Sequence, residues 1–234
     1  AEAKLLKEES GLTWNKWYEK NIYVGDGQNL TTKKKAAAEV FNRNKWYDSL
    51  NNNDLRKMEK WCDNWTDLIT SEERYGVEVY TGSAYDDMNK YLRGIRSSTS
   101  YTGEIKYAKQ GLLKASLPEE TVVRRGTDFD AVKALFKADK GSEIVPNKEK
   151  YIGMVIQDKG FMSTSPATHG GFSGDIELII KVPEGYQAMY VAPISRHKSE
   201  QELLINAGTK FVIEDFETNS YDEIKKVFLR VIKK

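Results

Sequence analysis

The sequence changes character at Pro118, and this change limits the folds that the chain can adopt. Before it, apolar residues recur at steps of three and four, which is the pattern of amphipathic helices. After it, short β-branched and aromatic runs alternate with turn residues, which is the pattern of strands. Helices first and strands later predict an α+β fold rather than alternating βαβ units. We expect a single domain over residues 1–234, with a mostly helical lobe at 1–117 and a β-rich core at 118–234.

The clearest helix follows the run of asparagine and aspartate at 51–54, which favours a helix start. One face of it carries Leu55, Met58, Trp61, Cys62, Trp65, Leu68 and Ile69. Further helices are predicted around 40–50, 83–93, 105–113 and 129–137. Strands are predicted at 121–124, 151–156, 161–163, 176–182, 187–191, 202–205, 209–214 and 227–232.

The composition argues against several classes of protein. The 36 Lys and Arg residues are balanced by 35 Asp and Glu, whereas a nucleic-acid partner calls for uncompensated positive charge. One cysteine allows no internal disulfide, and two histidines leave too few ligands for a His/Cys zinc site, so we expect no metal. No apolar run approaches the roughly 20 residues of a membrane span.

Three short motifs in the β-rich half carry groups suited to chemistry. Residues 122–126 read Val-Val-Arg-Arg-Gly, and a guanidinium fork suits a diphosphate while glycine lets a ligand approach the backbone. Residues 160–165 read Gly-Phe-Met-Ser-Thr-Ser, whose hydroxyls can bond local backbone or hold a carboxylate. Taken alone, the first motif is explained equally by a strand-end ion pair and the second by a hydroxyl-rich strand exit.

The third motif is the pair Glu200 and Glu202, which precedes the apolar run at 203–205. On an extended chain, side chains at i and i+2 face the same side, with Cα atoms about 6–7 Å apart. Two such carboxylates repel, so one acquires a raised pKa or meets a cation. A pair of this kind serves acid–base chemistry or stabilises an oxocarbenium-like centre. A polar strand edge is the alternative interpretation.

Together and in this order, the arginine, Ser-Thr-Ser and Glu-x-Glu motifs resemble those of the bacterial mono-ADP-ribosyltransferase toxins. Residues 80–94 are similar to the helix that precedes the core in C3-like exoenzymes and in the enzymatic components of binary toxins. Tyr80, Tyr85 and Asn89 have the NAD-contacting spacing of that family. The resemblance runs from about residue 75 to the C-terminus and implies the ADP-ribosyltransferase fold, with the helical lobe packed on two mainly antiparallel sheets.

The resemblance implies that NAD is the substrate and that its nicotinamide–ribose bond is cleaved. Glu202 would stabilise the developing ribosyl cation, and Ser163 would position Glu202. Arg124 is at the usual position of the phosphate clamp, and Arg125 is the alternative. The residues implied in NAD binding are Tyr80, Tyr85, Asn89, Arg124, Arg125, Gly126, Ser163, Thr164, Phe172 and Glu202.

Glu200 indicates which side chain accepts ADP-ribose, because family members with a glutamate at this position modify arginine. A carboxylate attracts and deprotonates a guanidinium, which suits that correlation. The expected activity is transfer of ADP-ribose to an arginine of a host protein, with transfer to water as NAD glycohydrolase side activity. Glu200 is accordingly expected to be catalytic, together with Glu202, Arg124 and Ser163.

Two departures from the actin-modifying binary toxins stand against actin as the target. Gly160 occupies the place of their asparagine, and Ile179 that of an NAD-binding arginine. The loop at 195–199 is basic and lacks the aromatic residue that many relatives use to dock their substrate.

Two other readings of the motifs remain. A glycoside hydrolase would use Glu200 and Glu202 but leaves Arg124 unexplained. A non-enzymatic binding module of the same fold is the second alternative. The chain begins with Ala1 rather than methionine, as expected of a processed product. We expect a monomer that a bacterium secretes and that acts in the cytosol of a host cell.

Overall fold

The computed structural model describes residues 41–136, 148–168 and 172–233, together with the short antiparallel strands β1 (Tyr23–Val24) and β2 (Gln28–Asn29). The helices are α1 (Arg43–Asn51), α2 (Leu55–Thr66), α3 (Ser71–Val79), α4 (Tyr85–Leu92), α5 (Thr102–Leu113), α6 (Phe129–Phe136) and α7 (Lys148–Tyr151). A π-helical segment, Tyr80–Ala84, joins α3 to α4. In the described part of the chain, no helix is both long and apolar enough to cross a membrane.

Helices α1, α2 and α3 begin where the sequence supplies capping side chains. The Asp54 carboxylate accepts hydrogen bonds from the backbone of Arg56 and Lys57 at the start of α2. Thr70 and Glu73 form a capping box at the start of α3. The apolar face of α2 turns inward, and Cys62 on that face is fully buried. The helix predicted at 55–69 is therefore present, but it ends at Thr66, and Leu68 beyond it is 63% exposed.

The strands after Pro118 form two sheets. They are β3 (Thr121–Thr127), β4 (Val155–Gln157), β5 (Met162–Thr164), β6 (Ile176–Val182), β7 (Ala188–Tyr190), β8 (Leu203–Ile205), β9 (Lys210–Thr218) and β10 (Ile224–Val231). The five-stranded sheet has the order β3-β6-β10-β9-β4 and is antiparallel except for the pair β6–β10. The three-stranded sheet, β5-β8-β7, is antiparallel. The predicted α+β class with two mainly antiparallel sheets is confirmed.

The two sheets meet at Arg124 in β3 and Ser165 just after β5. Each backbone N–H donates to the carbonyl of the other at 2.8 Å, so two hydrogen bonds join the sheets at one point. A large core cluster contains residues of α2 to α5 and of both sheets. A smaller cluster under α1 contains Trp46, Leu50, Val122, Ile179 and Phe228 on the opposite face of the five-stranded sheet. A single domain over 1–234 stays a prediction.

Candidate active site

The three sequence motifs lie together where the two sheets meet. A side-chain nitrogen of Arg125 donates to the backbone carbonyl of Ser163 at 2.7 Å, which ties the first motif to the second. The hydroxyls of Thr164 and Ser165 donate to the carbonyls of Leu203 and Gln201, at 2.6 Å and 3.2 Å. Because these two carbonyls flank Glu202, the hydroxyls hold the backbone on either side of the third motif. Thr164 is fully buried, and its implied contact with NAD stays a prediction.

Glu202 is a buried carboxyl, and some of its neighbours raise its pKa while others lower it. Only 1% of the residue is exposed. Burial and the negative charge of Glu200 raise its pKa, while a hydrogen bond from Ser163 and the charge of Arg125 lower it. The balance raises the pKa of Glu202 to about 7. A carboxyl in this state changes protonation near neutral pH, which is typical of active sites.

Glu200 does not lie on an extended strand, and that prediction is wrong. It ends a short 3₁₀ turn, Lys198–Glu200, and β8 begins only at Leu203. Between the two glutamates, Gln201 adopts the left-handed conformation, with φ 49° and ψ 49°. Glu200 nevertheless lies close enough for its charge to raise the pKa of Glu202.

Tyr80 and Asn89 lie behind Ser163, inside the protein. The Tyr80 hydroxyl is 3.0 Å from the Ser163 hydroxyl and accepts a hydrogen bond from Asn89 Nδ2, also at 3.0 Å. The Asn89 amide pairs with the backbone of Phe161, accepting from its N–H at 2.8 Å and donating to its carbonyl at 3.2 Å. Tyr85 differs from both, because half of it (52%) is exposed.

Position 160 departs from the binary-toxin pattern, and the presence of glycine there has a local steric reason. A Cβ atom at this position would lie 2.7 Å from Asn89 Oδ1 and 3.1 Å from Arg93 Nε. Arg93 cannot easily give way, because it forms a two-point ion pair with Asp158 at 2.9 Å and 2.8 Å. Sequence reasoning did not single out Asp158 or Arg93, which are 65 residues apart and form no local motif.

Arg124 and Arg125 point to opposite faces of β3, as consecutive strand residues do. Arg124 donates to the carbonyl of Thr168, and its Nε lies 2.8 Å from Glu177 Oε1. That Nε contact is an ion pair without hydrogen-bond geometry, because the buried Nε has no hydrogen-bond partner. Glu177 was also missed, although a glutamate inside the apolar strand at 176–182 was the signal available.

Arg125 faces Ser163 and Glu202 and packs over the Phe172 ring, with 5.4 Å from its guanidinium carbon to the ring centroid. The segment carrying Phe172 is held by Gly126, whose N–H donates to the Phe172 carbonyl at 3.0 Å. A Cβ atom on Gly126 would lie 2.5 Å from that carbonyl oxygen. The close approach expected at Gly126 is thus made by the protein's own chain at 172–174, and an approach by NAD stays a prediction.

Comparison with known proteins agrees with this geometry. A family model described as ADP-ribosyltransferase exoenzyme matches residues 42–234. The mono(ADP-ribosyl)transferase SpvB of Salmonella typhimurium is 28% identical over 174 residues, which cover 64% of this chain and 28% of SpvB. The NAD(+)–arginine ADP-ribosyltransferase EFV of Enterococcus faecalis is 26% identical over 163 residues, covering 65% of this chain and 30% of EFV. The chain therefore spans less than a third of the length of these two relatives.

A solved structure shows the same architecture. Plx2a, an ADP-ribosyltransferase toxin from Paenibacillus larvae, superposes with a TM-score of 0.64 at 26% identity. The match covers 76% of this chain and 94% of Plx2a. The family model matches most of this chain, and the three motifs lie together at one site. The chain therefore belongs to the ADP-ribosyltransferase exoenzyme family.

Proposed function

We propose that the protein cleaves NAD and transfers ADP-ribose to an arginine of a host protein, with NAD glycohydrolysis as a side activity. The observation that carries this proposal is the surroundings of Glu202. A buried carboxyl is bonded by Ser163, repelled by Glu200 and attracted by Arg125. This set of charges suits a reaction in which positive charge develops on a ribose next to a diphosphate.

The diphosphate would be bound chiefly by Arg125. In the part of the chain that the structure describes, no carboxylate lies within ion-pairing distance of its guanidinium, whereas Arg124 is already paired with Glu177. Planar guanidinium donors match phosphate oxygens in two-point contacts. Arg125 also faces Glu202, so a bound diphosphate would leave the adjoining ribose beside the carboxylate. Phe172, which packs on Arg125, offers an aromatic face to the nicotinamide.

The reaction then requires Glu202 as an anion. As the bond from ribose C1′ to nicotinamide nitrogen breaks, its electron pair leaves with nicotinamide and C1′ becomes oxocarbenium-like. The Glu202 carboxylate stabilises that cation. A guanidinium nitrogen of the acceptor attacks C1′, and its proton passes to Glu200. Attack by water instead releases free ADP-ribose, which is the glycohydrolase reaction.

Two observations support arginine as the acceptor. Glu200 is half-buried beside Glu202 and carries a charge that acts on it, so it lies where an approaching guanidinium would be attracted. The similar enzyme EFV is named an arginine ADP-ribosyltransferase. A glycoside hydrolase using the two glutamates leaves Arg125 beside Ser163 without a role.

Incubation with labelled NAD tests the proposal. We expect the wild type to release nicotinamide and to label agmatine, a small guanidine, and proteins of a host-cell lysate. Glu202→Gln should abolish both reactions, whereas the exposed Glu223→Gln should retain them. Absence of nicotinamide release from the folded wild type would overturn the proposal. Mass spectrometry of the labelled lysate then identifies the host protein and the modified side chain, and modification of residues other than arginine would exclude the proposed acceptor.

A further inference from the structure

A series of buried polar side chains reaches Glu202 from the helical lobe, and the mechanism proposed above does not use it. Asn89 bonds to Tyr80 and Tyr80 to Ser163, each at 3.0 Å. Ser163 in turn lowers the pKa of Glu202 as a hydrogen-bond donor to it. These four residues are exposed by 5%, 1%, 6% and 1%, respectively. Buried hydrogen bonds in series polarise one another, so the first donor can affect the last acceptor. We call this series the Glu202 donor chain.

The backbone of Phe161 fixes the direction of the first hydrogen bond in the donor chain. Its N–H donates to Asn89 Oδ1 and its carbonyl accepts from Nδ2, so the amide orientation is set. Asn89 thus presents an N–H, and no acceptor, to Tyr80. The Tyr80 oxygen accepts this bond, which leaves its own proton for Ser163. With Tyr80 as the donor of their shared hydrogen bond, the Ser163 hydroxyl keeps its single proton for Glu202.

We propose that Tyr80 and Asn89 are positioning residues that hold the Ser163 proton on Glu202 and thereby stabilise the anionic form of that carboxyl. The inference rests on the proposed function, because NAD cleavage there requires Glu202 as an anion. It gives Tyr80 and Asn89 a role that differs from the direct NAD contact implied by the family resemblance.

The other charged groups that face Glu202 act independently of the donor chain. Glu200 disfavours the anion from the preceding turn, and Arg125 favours it from β3. Tyr80 itself stays protonated through the neutral range, because burial raises its pKa to about 12. Removing the Tyr80 hydroxyl therefore leaves the charges of Glu200 and Arg125 in place. It removes the donor to Ser163 and the acceptor of one Asn89 hydrogen bond.

The test is the pH dependence of NAD hydrolysis at saturating NAD in Tyr80→Phe, which retains the ring packed 4.8 Å from that of Phe161. Without the donor, Ser163 bonds the anion less strongly, so more of Glu202 is protonated at a given pH. We expect the midpoint of the acidic limb to rise by about half a pH unit or more. Tyr186→Phe is the matched control, because Tyr186 is also buried and its hydroxyl donates to Thr209 at 3.0 Å. Its midpoint should not move.

A double-variant cycle shows whether Tyr80 acts through Ser163. Ser163→Ala alone should raise the midpoint, and adding Tyr80→Phe should shift it no further. If Tyr80 only contacts NAD, Tyr80→Phe raises KM and leaves the midpoint unchanged. That result, or additive shifts in the double variant, would overturn the inference.

Two further measurements keep the test decisive. Site-specific 3-fluorotyrosine at position 80 retains the hydroxyl and is a stronger donor, so the midpoint should move to lower pH even if Tyr80→Phe fails to fold. Titration of the Glu202 carboxyl by ¹³C NMR, assigned with Glu202→Gln, measures its pKa without any assay of activity. Should the wild type not hydrolyse NAD, the proposed function fails, and the NMR titration still decides whether Tyr80 acts on Glu202.

Discussion

Glu202 is the residue at which folding stability and the proposed reaction favour opposite protonation states. The folded protein favours its neutral form, because burial raises its pKa to about 7 from an ordinary value of 4.5. The proposed reaction needs its anion, so the folded state at working pH contains a carboxylate that its surroundings solvate poorly. The protein should therefore be less stable with Glu202 charged than with an uncharged side chain of the same shape.

Glu202→Gln tests this opposition through the free energy of unfolding. A carboxyl with a raised pKa in the folded state binds more protons there, so stability is greatest below pH 4.5 and is lost as pH rises toward 7. The full loss corresponds to about 3 kcal/mol. We expect Glu202→Gln to remove much of this pH dependence and to exceed the wild type in stability at pH 7.5. Urea unfolding at pH 5 and pH 7.5 measures the free energy of unfolding of both proteins. An equal change in that free energy between the two pH values for the wild type and Glu202→Gln would contradict the prediction.

Glu200→Gln separates the two proposed reactions of the same site. Loss of the acceptor-side carboxylate should lower transfer to agmatine by roughly a hundredfold or more, as expected for loss of a general base, while NAD hydrolysis persists. Removing a negative charge beside Glu202 should also move the acidic limb of hydrolysis to lower pH, because Glu200 raises the pKa of Glu202. Parallel rates of nicotinamide release and agmatine labelling measure both effects. Equal loss of the two rates would refute the acceptor-side role.

The sequence identified the chemical groups of the site better than their conformations. The order of the arginine, hydroxyl and glutamate motifs named Arg124, with Arg125 as the alternative, together with Ser163 and Glu202. The structure brings Arg125 rather than Arg124 to Ser163. The left-handed Gln201 was not predictable, because glutamine carries no preference for that conformation. The opposite orientation of Arg124 and Arg125 follows from strand alternation, but their partners depend on residues such as Glu177 that are distant in sequence.

The elements around the site are held in place by α4 as well as by the sheets. Asn89 in α4 bonds the backbone of Phe161 in two places, and Arg93, which follows α4, pairs with Asp158. These contacts fix the segment that leads into β5, and with it Ser163. The close approach of Gly160 to Asn89 makes this junction intolerant of any added side chain.

Gly160→Ala should therefore weaken the attachment of α4 to β5. The new Cβ would lie 2.7 Å from Asn89 Oδ1, and Asn89 is restrained by its two bonds to Phe161. Overpacking of this kind costs about 1–3 kcal/mol, which thermal unfolding would detect as a lower Tm. Gly103→Ala in α5 is the control, because its nearest neighbour is Tyr107 Cε2 at 4.0 Å and alanine favours a helix. An unchanged Tm for Gly160→Ala would show that Asn89 can move.

Most helices and strands followed from local pattern, whereas their arrangement did not. The periodicity at 55–69 and the asparagine and aspartate run at 51–54 predict where α2 begins, whereas the helix α3 at Ser71–Val79 was not predicted. The parallel pair β6–β10 joins strands more than forty residues apart, and such pairing depends on contacts that no short window contains. The π-helical segment at Tyr80–Ala84 also had no local signal beyond Gly82, where the backbone kinks.

In the described part of the chain, helices α2 to α6 share one large core with both sheets, and α1 packs on a smaller one. If residues 1–234 form one domain, the helical and β-rich halves should unfold together. All five tryptophans lie within the first 65 residues, so their fluorescence reports the helical half, whereas far-ultraviolet circular dichroism reports both. We expect both signals to give the same urea midpoint. Two separate midpoints would divide the chain into independent folding units.

The reciprocal backbone hydrogen bonds between Arg124 and Ser165 also bear on how a substrate enters. They join the sheets immediately beside the site, so a breathing motion that spread the sheets apart there would have to break both. A substrate that binds beside this junction should therefore leave the arrangement of the two sheets unchanged. The amide hydrogens of Arg124 and Ser165 should accordingly exchange with solvent slowly, at rates that a bound substrate leaves nearly unchanged.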